Sequence, residues 1–199
     1  MSTPDLGKLF ESFRVSAFRL ECLPAYDVTE DAEREAFRCW KSGEELPRIE
    51  REWLLTVRRA VARGARMQRV RMVSPQLTEY QRFQFAWGYQ ENTAAGEEIA
   101  ILDHEPPGLL RVDFWLFDDA TAVVLEYDDA GRFLRPIVAE TVAPYRQARD
   151  MALKSAVPFR QGASVATFLQ RRLAEPSVVE NMQRWLGRTR EKGNAGELW

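Results

Sequence analysis

The sequence predicts an α+β fold with α/β-like parts: a mixed sheet with an antiparallel meander, flanked by helices and followed by a helical C-terminal region. Helical and strand-like periodicities alternate through the middle of the chain, which is typical of helices packed on a sheet. Two aspartate-rich turns then separate three strand-like runs, as in a meander of hairpins. We therefore expect an α/β core at residues 1–140 and a helical region at 141–199 that packs on it.

The N-terminal part predicts one strand and one helix. Apolar residues alternate with charged ones over residues 18–22, which indicates a half-buried strand. Thr29 is a good N-cap, acidic residues follow it, and Gly43 is suited to end a helix. We expect this helix to run from Thr29 to Lys41.

A helix and a strand joined by a glycine follow. Apolar residues recur at helical spacing from Ile49 onwards, and Gly64 suits the end of that helix. The next run, residues 66–73, alternates apolar residues with Arg69 and Arg71, which predicts a strand. A strand that follows a helix so directly is typical of an α/β unit.

The rest of the core predicts one aromatic helix and four strands. The helix begins after Ser74-Pro75, and its apolar face carries Leu77, Tyr80, Phe83 and Trp87. Strands are expected at 98–102, 112–117, 121–127 and 132–138, with turns at 118–120 and 128–131. From about Val142 onwards we expect helices throughout, and Trp185 lies on the apolar face of the last one.

Charges are sorted along a chain whose net charge is only −2. Residues 48–82 contain nine arginines and three glutamates, whereas residues 97–129 contain ten acidic residues and one arginine. Because both segments contribute strands to one predicted sheet, we expect arginine–carboxylate pairs within it. Such pairs would form the floor of a polar pocket.

The predicted pocket centres on Arg69 and Arg71. We expect both on one face of their strand, with at least one within salt-bridge reach of Asp113, Asp118 or Glu126. The candidate ligand-binding residues are Arg69, Arg71, Tyr80, Trp87, Asp113, Trp115 and Asp118.

No motif of a known catalytic or nucleotide-binding site is present. The chain lacks GxGxxG, a P-loop and Gly-x-Ser-x-Gly. His104, the only histidine, precedes Glu105-Pro-Pro in a predicted loop, where we expect it to be solvated. Turn formation explains the clustered aspartates, so we expect no metal and no cofactor, and the catalytic residues of any reaction stay unknown.

Composition predicts a cytoplasmic protein that does not enter a membrane. The longest uncharged run has ten residues, whereas about 20 apolar residues are needed to span a bilayer. The N-terminus has no apolar signal core, and Cys22 and Cys39 do not form a disulfide framework. A pI of 5.7 argues against nucleic acid as a partner.

Four segments resemble a known family. They are SAFRLECLPAYDV (16–28), GARMQRVRMVSPQLTEYQRF (64–83), AAGEEI (94–99) and DFWLFDDATAVVLEYDDAGRF (113–133). In this order they resemble an uncharacterised actinobacterial domain-of-unknown-function family, whose members are commonly encoded beside helix-turn-helix regulators and the small partner proteins of those regulators. The resemblance covers about residues 10–150 and implies no particular reaction.

The order of elements is also similar to a phospholipase D-like half-domain. Residues 57–73 resemble its opening helix and strand, and residues 94–102 and 113–125 resemble the strand and hairpin around its His-x-Lys-x₄-Asp motif. Here the histidine and lysine positions hold Arg111 and Asp113 when counted back from Asp118, or Val112 and Phe114 when counted back from Asp119. Without the histidine nucleophile, the resemblance implies a degenerate domain that binds without cutting.

Three functions are compatible with these observations. The favoured one is a non-catalytic regulatory or interaction domain that binds a small ligand, a transcriptional-regulator partner, or both. That partner is expected to be a helix-turn-helix regulator or a second copy of the chain, docked on an apolar stripe of Val179, Trp185 and Leu186. The alternatives are an enzyme of specialised metabolism that uses an Arg/Tyr/Asp pocket on the sheet, and a nucleic-acid-binding or toxin-like protein.

Overall fold

A seven-stranded mixed sheet forms the centre of the computed structural model, which describes residues 4–27, 31–47, 49–74 and 76–160. Helices lie at Leu6–Ser12 (α1), Asp31–Ser42 (α2), Glu52–Ala62 (α3), Glu79–Ala86 (α4), Gly88–Ala95 (α5) and Ala143–Ser155 (α6). Strands lie at Ser16–Glu21 (β1), Arg66–Met72 (β2), Glu98–Leu102 (β3), Phe114–Phe117 (β4), Thr121–Tyr127 (β5), Phe133–Val138 (β6) and Val157–Pro158 (β7).

The sheet has a parallel half and an antiparallel half, in the order β6-β5-β4-β1-β2-β3-β7. β1, β2 and β3 are parallel, and the connections between them contain α2 with α3 and α4 with α5. β4 pairs antiparallel with β1, β5 and β6 continue the meander, and β7 pairs antiparallel with β3. The predicted mixed sheet with an antiparallel meander is confirmed.

One face of the sheet is mainly apolar, although it includes Gln68 and Glu98 at the starts of β2 and β3. It carries Phe18 and Leu20 of β1 and Phe114 of β4, all essentially buried. The small side chains of Ala148 and Ala152 bring α6 close to this face. Burial of these side chains supplies the main favourable term for the fold on this side of the sheet.

The opposite face changes character along the strands. Near the start of β1 and β2 it is apolar, with Ala17 and Met67 packed beneath Leu54 and Val57 of α3. Side chains on one face of a strand recur every second residue. The next side chain of each strand on this face is charged, so the face changes from apolar to charged. This charged half lies at the carboxyl ends of the parallel strands, where open α/β sheets commonly bind ligands.

The β4–β5 turn ties the start of β1 to the sheet. Asp118 and Asp119 adopt φ angles of 50° and 56°, the left-handed backbone that aspartate tolerates and a tight hairpin turn requires. The Asp118 carboxylate accepts hydrogen bonds from the backbone N–H groups of Arg14, Val15 and Ser16 at 2.8, 2.7 and 2.9 Å. These bonds lower the pKa of Asp118 against the opposing effect of burial.

Three elements differ from the prediction. The aromatic helix is interrupted at Trp87, whose backbone (φ −128°, ψ −72°) separates α4 from α5. α1 was not expected, since it has seven residues and none of them is buried. β7 lies in the region predicted to be helical throughout, because its two residues pair with the free edge of β3.

The rest of the predicted C-terminal helical region, with Trp185, lies outside the described residues, as does the predicted N-cap Thr29. α6 is the part of that region that the structure describes, and it contacts β1, β3 and β4. None of the helices in the described ranges combines the length and apolar composition needed to cross a bilayer.

Candidate functional site

Charged side chains lie next to one another on the carboxyl-terminal half of the central strands. The parallel register places Arg19 beside Arg69 and Glu21 beside Arg71. Arg19, Glu21 and Arg71 are 3%, 5% and 0% exposed. We call this group, with its two outer carboxylates, the polar layer; its members are Arg19, Glu21, Arg69, Arg71, Glu97 and Asp113.

Ion pairs connect every member of the polar layer except Arg71. Arg69 contacts Glu21 through Nη1 and Glu97 through Nε, the latter at 2.7 Å. Arg19 Nη2 donates to Asp113 Oδ1 at 2.8 Å. Arginine–carboxylate pairs therefore form within the sheet, as predicted.

The predicted partners of Arg69 and Arg71 were wrong. Asp113 precedes β4, and β4 pairs with β1, so this carboxylate reaches Arg19 rather than an arginine on β2. Asp118 lies at the opposite end of β1, where it binds backbone N–H groups. Glu126 pairs across the β5–β6 ladder with Arg135 at 2.7 Å. Only the strand order decides these distances, and the sequence pattern does not contain it.

Both oxygens of Asp113 are occupied by donors from three parts of the chain. Oδ1 accepts from Arg19 Nη2 and from the Tyr26 hydroxyl, and Oδ2 accepts from the backbone N–H of Cys22 at 3.1 Å. Asp113 therefore joins β1, the loop after it and the start of β4.

Each oxygen of the two glutamates in the polar layer also has a hydrogen-bond donor. Glu97 Oε1 accepts from Arg69, and its Oε2 accepts from the Trp53 indole N–H at 3.0 Å. Glu21 Oε1 accepts from Arg69, and its Oε2 accepts from the Tyr89 hydroxyl at 3.3 Å. Burial alone would raise the pKa of Glu21, but the guanidinium groups around it outweigh this effect and lower the pKa.

Several buried arginine nitrogens, by contrast, have no acceptor among the described residues. They are Arg19 Nη1, Arg51 Nε, and Arg71 Nε and Nη1. Arg71 is the extreme case: its Nη2 donates to the Pro24 carbonyl at 3.3 Å, and its guanidinium lies 5.0 Å from the centre of the Tyr26 ring. Within the described chain no carboxylate oxygen lies within 4.0 Å of Arg71, since no ion pair involves it.

A cavity of about 280 Å³ opens over the polar layer. Its walls combine charged, amide and aromatic side chains from the sheet and from α2 to α5. Its lining includes Arg19, Glu21, Tyr26, Asp27, Glu33, Arg51, Trp53, Arg69, Tyr80, Tyr89, Asn92, Tyr127 and Phe133. Concave sites with aromatic walls and a few convergent polar groups are typical of small-molecule binding.

The tyrosines around the cavity are neutral. Burial is the main cause that raises the pKa of Tyr26, Tyr80 and Tyr89 well above its ordinary value, and nearby carboxylates add to it. Their hydroxyls therefore act as hydrogen-bond donors and acceptors rather than as phenolates. The Tyr127 hydroxyl accepts from Arg19 Nη2 at 3.1 Å, and no acceptor for its own hydrogen lies in the described chain.

The predicted site residues separate into two groups. Arg69 and Tyr80 line the cavity, and Arg71 and Asp113 lie in the polar layer. Trp115 packs beneath Arg69, with the guanidinium 5.9 Å from its ring. The structure brings these five together.

Trp87 and Asp118 lie elsewhere. The Trp87 ring lies 4.4 Å from the guanidinium of Arg51, but Trp87 belongs to the aromatic cluster of α2 and α4 and does not line the cavity. Asp118 occupies the hairpin turn at the other end of β1. Neither side chain is placed to contact a molecule bound over the polar layer.

Sequence reasoning missed half of the polar layer. Arg19 and Glu21 alternate with Phe18 and Leu20 in β1, the same period-two pattern that drew attention to β2. By itself, that alternation indicates only a half-buried strand. Charges repeated at this spacing on two adjacent strands were the available signal.

A second cavity, of about 300 Å³, lies near the ends of β1, β2 and β3 and includes Cys22, His104 and Arg111 in its lining. The His104 side chain is 66% exposed and its Nδ1 lies 2.8 Å from Asp103 Oδ1. Burial, with Asp113 nearby, raises the pKa of the Cys22 thiol to about 12, so it is not a reactive thiolate. Across the described ranges, no group of three or more His, Cys, Asp or Glu residues is placed to hold a metal ion.

Sequence and structure comparisons bear on the family and the architecture. The family model described as "Domain of unknown function (DUF6879)" matches residues 4–164. The chain belongs to this family. No curated protein shows significant similarity to the chain. The predicted membership in a domain-of-unknown-function family is thus confirmed, and a shared actinobacterial origin stays a prediction.

Two solved structures share part of the architecture of this DUF6879 member. TrmBL2, an archaeal chromatin protein, has a TM-score of 0.44 and 12% identity over 77% of this chain and 49% of that one. Nuc, a phospholipase D family member from Salmonella typhimurium, has a TM-score of 0.46 and 10% identity over 77% of this chain and 87% of that one. The chain thus spans about half the length of the TrmBL2 chain. The similarity to both is weak.

Proposed function

We propose that this chain is a non-catalytic, cytoplasmic ligand-binding domain that holds a small polar molecule in the cavity over the polar layer. The observation that carries the proposal is a buried network of three arginines and three carboxylates that borders a cavity and retains unsatisfied arginine N–H groups. Buried polar groups with free hydrogen-bonding capacity beside a cavity are what a binding site offers a ligand.

Energetics support a functional reason for this network. Taking charges out of water is unfavourable, and well-packed apolar residues of similar volume commonly give equal or greater stability. The neighbouring positions Ala17 and Met67 show that the same sheet face accepts apolar residues two positions earlier. A network that stability does not require, at the carboxyl ends of parallel strands, is best explained by what it binds.

The chemistry of the cavity favours binding over catalysis. Arginine stays cationic at every accessible pH, and the buried tyrosines around the cavity are held neutral. All oxygens of the buried carboxylates have protein donors. The enzyme alternative would therefore depend on Asp27 or Glu33 at the cavity wall as acid or base.

Nucleic acid is a poorer candidate, because many of the arginines in residues 48–82 are turned inward or paired. Arg69 and Arg71 are enclosed by the sheet and its helices, and the exposed Arg58 and Arg66 form ion pairs with Glu50 and Glu98. Arginine side chains already matched to carboxylates offer little to phosphate groups.

The proposal includes a protein partner that responds to the ligand, a helix-turn-helix regulator or a second copy of the chain. The edge strand β6 supports it: Phe133, Leu134 and Val138 are 46%, 59% and 44% exposed. Exposed apolar side chains on an unpaired edge strand are suited to a partner surface. Phe133 also lines the cavity, so the two surfaces share a residue. Sedimentation of the wild type and a Leu134→Lys variant, alone and with the regulator, tests this partner.

Nuclear magnetic resonance tests ligand binding directly. The Trp53 indole N–H lies in the cavity wall, and a Trp53→Phe variant assigns its signal. We expect some members of a fragment library of mixed charge and polarity to shift this signal and to raise the melting temperature. The proposal fails if no fragment class shifts the Trp53 signal, or if every fragment that binds does so elsewhere.

A further inference from the structure

The cavity over the polar layer is balanced in charge. The polar layer contains three arginines and three carboxylates. The cavity lining likewise contains three arginines and three acidic residues: Arg19, Arg51, Arg69, Glu21, Asp27 and Glu33. A ligand with a full negative charge would leave an uncompensated anion in a buried place, which is costly.

Hydrogen bonding in the same place is not balanced. Every oxygen of Glu21, Glu97 and Asp113 accepts from a protein donor. Arg19 Nη1 and Arg51 Nε, from two cavity-lining residues, are buried without an acceptor in the described chain. The cavity therefore has spare donors, whereas the carboxylates of the polar layer are already engaged.

This asymmetry argues against sugars and other polyols, whereas the charge balance argues against anions. Each hydroxyl group of a polyol brings a donor together with an acceptor. The donors would compete for carboxylate oxygens that Arg69, Trp53 and Tyr89 already occupy. A carbonyl oxygen or a ring nitrogen brings an acceptor alone, which is what the unsatisfied arginine nitrogens need.

We propose that the ligand is an uncharged planar ring compound whose polar atoms are carbonyl or ring acceptors. The proposal rests on the proposed binding function of this cavity. Carbonyl groups would accept from Arg19 and from the free hydroxyl hydrogen of Tyr127, and the ring would lie against Trp53 and Tyr80. A cavity of about 280 Å³ lies at the lower end of small-molecule sites, which limits the ligand to a single ring system.

Three probes of similar size separate the ligand classes. 1,3-Dimethyluracil is neutral and carries acceptors only, benzoate is an anion, and methyl glucoside is a polyol. We expect dimethyluracil to shift the Trp53 indole signal and to bind about tenfold more tightly than the other two, the effect of one or two satisfied hydrogen bonds.

Two tyrosine variants test the assigned contact. Tyr127→Phe removes the hydroxyl donor, and with it one of the two acceptors of Arg19 Nη2, without changing the ring, so the dissociation constant for dimethyluracil should rise about fivefold. Tyr145→Phe is the matched control, because Tyr145 packs on Phe114 at the other face of the sheet, and it should leave the constant unchanged.

The outcomes distinguish the ligand class from the binding function. Tighter binding of benzoate or methyl glucoside at Trp53 overturns the ligand class and leaves the binding function standing. The class is also overturned if fragments of other kinds bind there while dimethyluracil does not, or if Tyr127→Phe has no effect. Absence of any fragment at the cavity overturns both proposals.

Discussion

Arg71 and Arg69 differ in what surrounds them, although they are two residues apart on one strand face. Arg69 contacts two carboxylates, whereas Arg71 is fully buried against a carbonyl and an aromatic ring. A buried cation is stabilising only where its partners compensate for lost hydration. The two arginines should therefore make different contributions to stability and to binding.

Replacing each of them by methionine tests this difference. Arg69→Met leaves Glu21 and Glu97 without their nearest cation, so we expect the free energy of unfolding to fall by about 3–5 kcal/mol. Arg71→Met removes a guanidinium with two unsatisfied nitrogens, so the change should stay below about 1 kcal/mol in either direction. Urea unfolding measures the free energy of unfolding of both variants. Equal losses would contradict the different roles given to Arg69 and Arg71.

Glu21 makes stability depend on pH. Burial opposes its ionisation, but Arg69, Arg71 and Arg19 outweigh burial and lower its pKa in the folded chain. A carboxyl with a lowered folded pKa adds stability that is complete above the unfolded pKa and is lost as pH falls through the folded value.

We therefore expect the free energy of unfolding to decline below about pH 4, the ordinary range of a glutamate. Glu21→Gln should lower stability at neutral pH, because its arginine neighbours lose a carboxylate, and should flatten the acid decline. Urea unfolding between about pH 3 and pH 7 measures both effects. An acid decline of wild-type steepness in the variant would show that other carboxyls cause it.

The loop after β1 covers the polar layer, and the β5–β6 turn fixes its position. Gly131 has a φ angle of 78°, and its carbonyl accepts from the backbone N–H of Asp27 at 2.9 Å. A Cβ atom at Gly131 would meet the Ala25 carbonyl at 2.8 Å. Glycine thus permits the approach that holds Tyr26 over Arg71.

Gly131→Ala should displace this loop. We expect a loss of stability above the roughly 1–2 kcal/mol that a left-handed backbone alone costs a residue with a Cβ. Gly43→Ala is the control, since Gly43 has a φ angle of 73° and open space around it. The shift of the Trp53 signal by dimethyluracil should weaken in Gly131→Ala and persist in Gly43→Ala. If the two variants behave identically, the position of the loop after β1 does not influence stability or ligand binding.

The sequence resemblance to a phospholipase D-like half-domain does not include the histidine and lysine of its catalytic motif. Asp113 stands where that motif has its lysine, and here both of its oxygens are occupied within the protein. Arg111 stands at the histidine position and stays cationic, so it cannot act as the nucleophile. His104 lies exposed on the loop after β3.

We expect no phosphodiesterase turnover by the whole chain. Bis(p-nitrophenyl) phosphate, assayed with and without Mg²⁺, should be hydrolysed no faster than in buffer, and His104→Ala should change nothing. Hydrolysis by the wild-type chain that disappears in His104→Ala would reverse this conclusion and make His104 a catalytic residue.

Local patterns determined much of this fold in advance. The alternation in β1 and β2, the turn chemistry around Asp118 and Gly131, and the apolar spacing of α3 are short-range signals, and the structure confirms each element. Such signals act through neighbours a few residues apart, because helix and strand periodicities bring those side chains to one face. The separation of basic and acidic segments along the chain also predicted paired arginines and carboxylates within the sheet.

Tertiary structure alone decided which charges meet. β4 lies beside β1, so Asp113 pairs with Arg19, and β3 lies beside β2, so Glu97 pairs with Arg69. Strand order and helix crossings depend on packing between distant segments, and residue spacing along the chain does not encode distances across a sheet. For the same reason the cavity, its spare arginine donors and the fully enclosed Arg71 follow from the assembled sheet and not from any single segment.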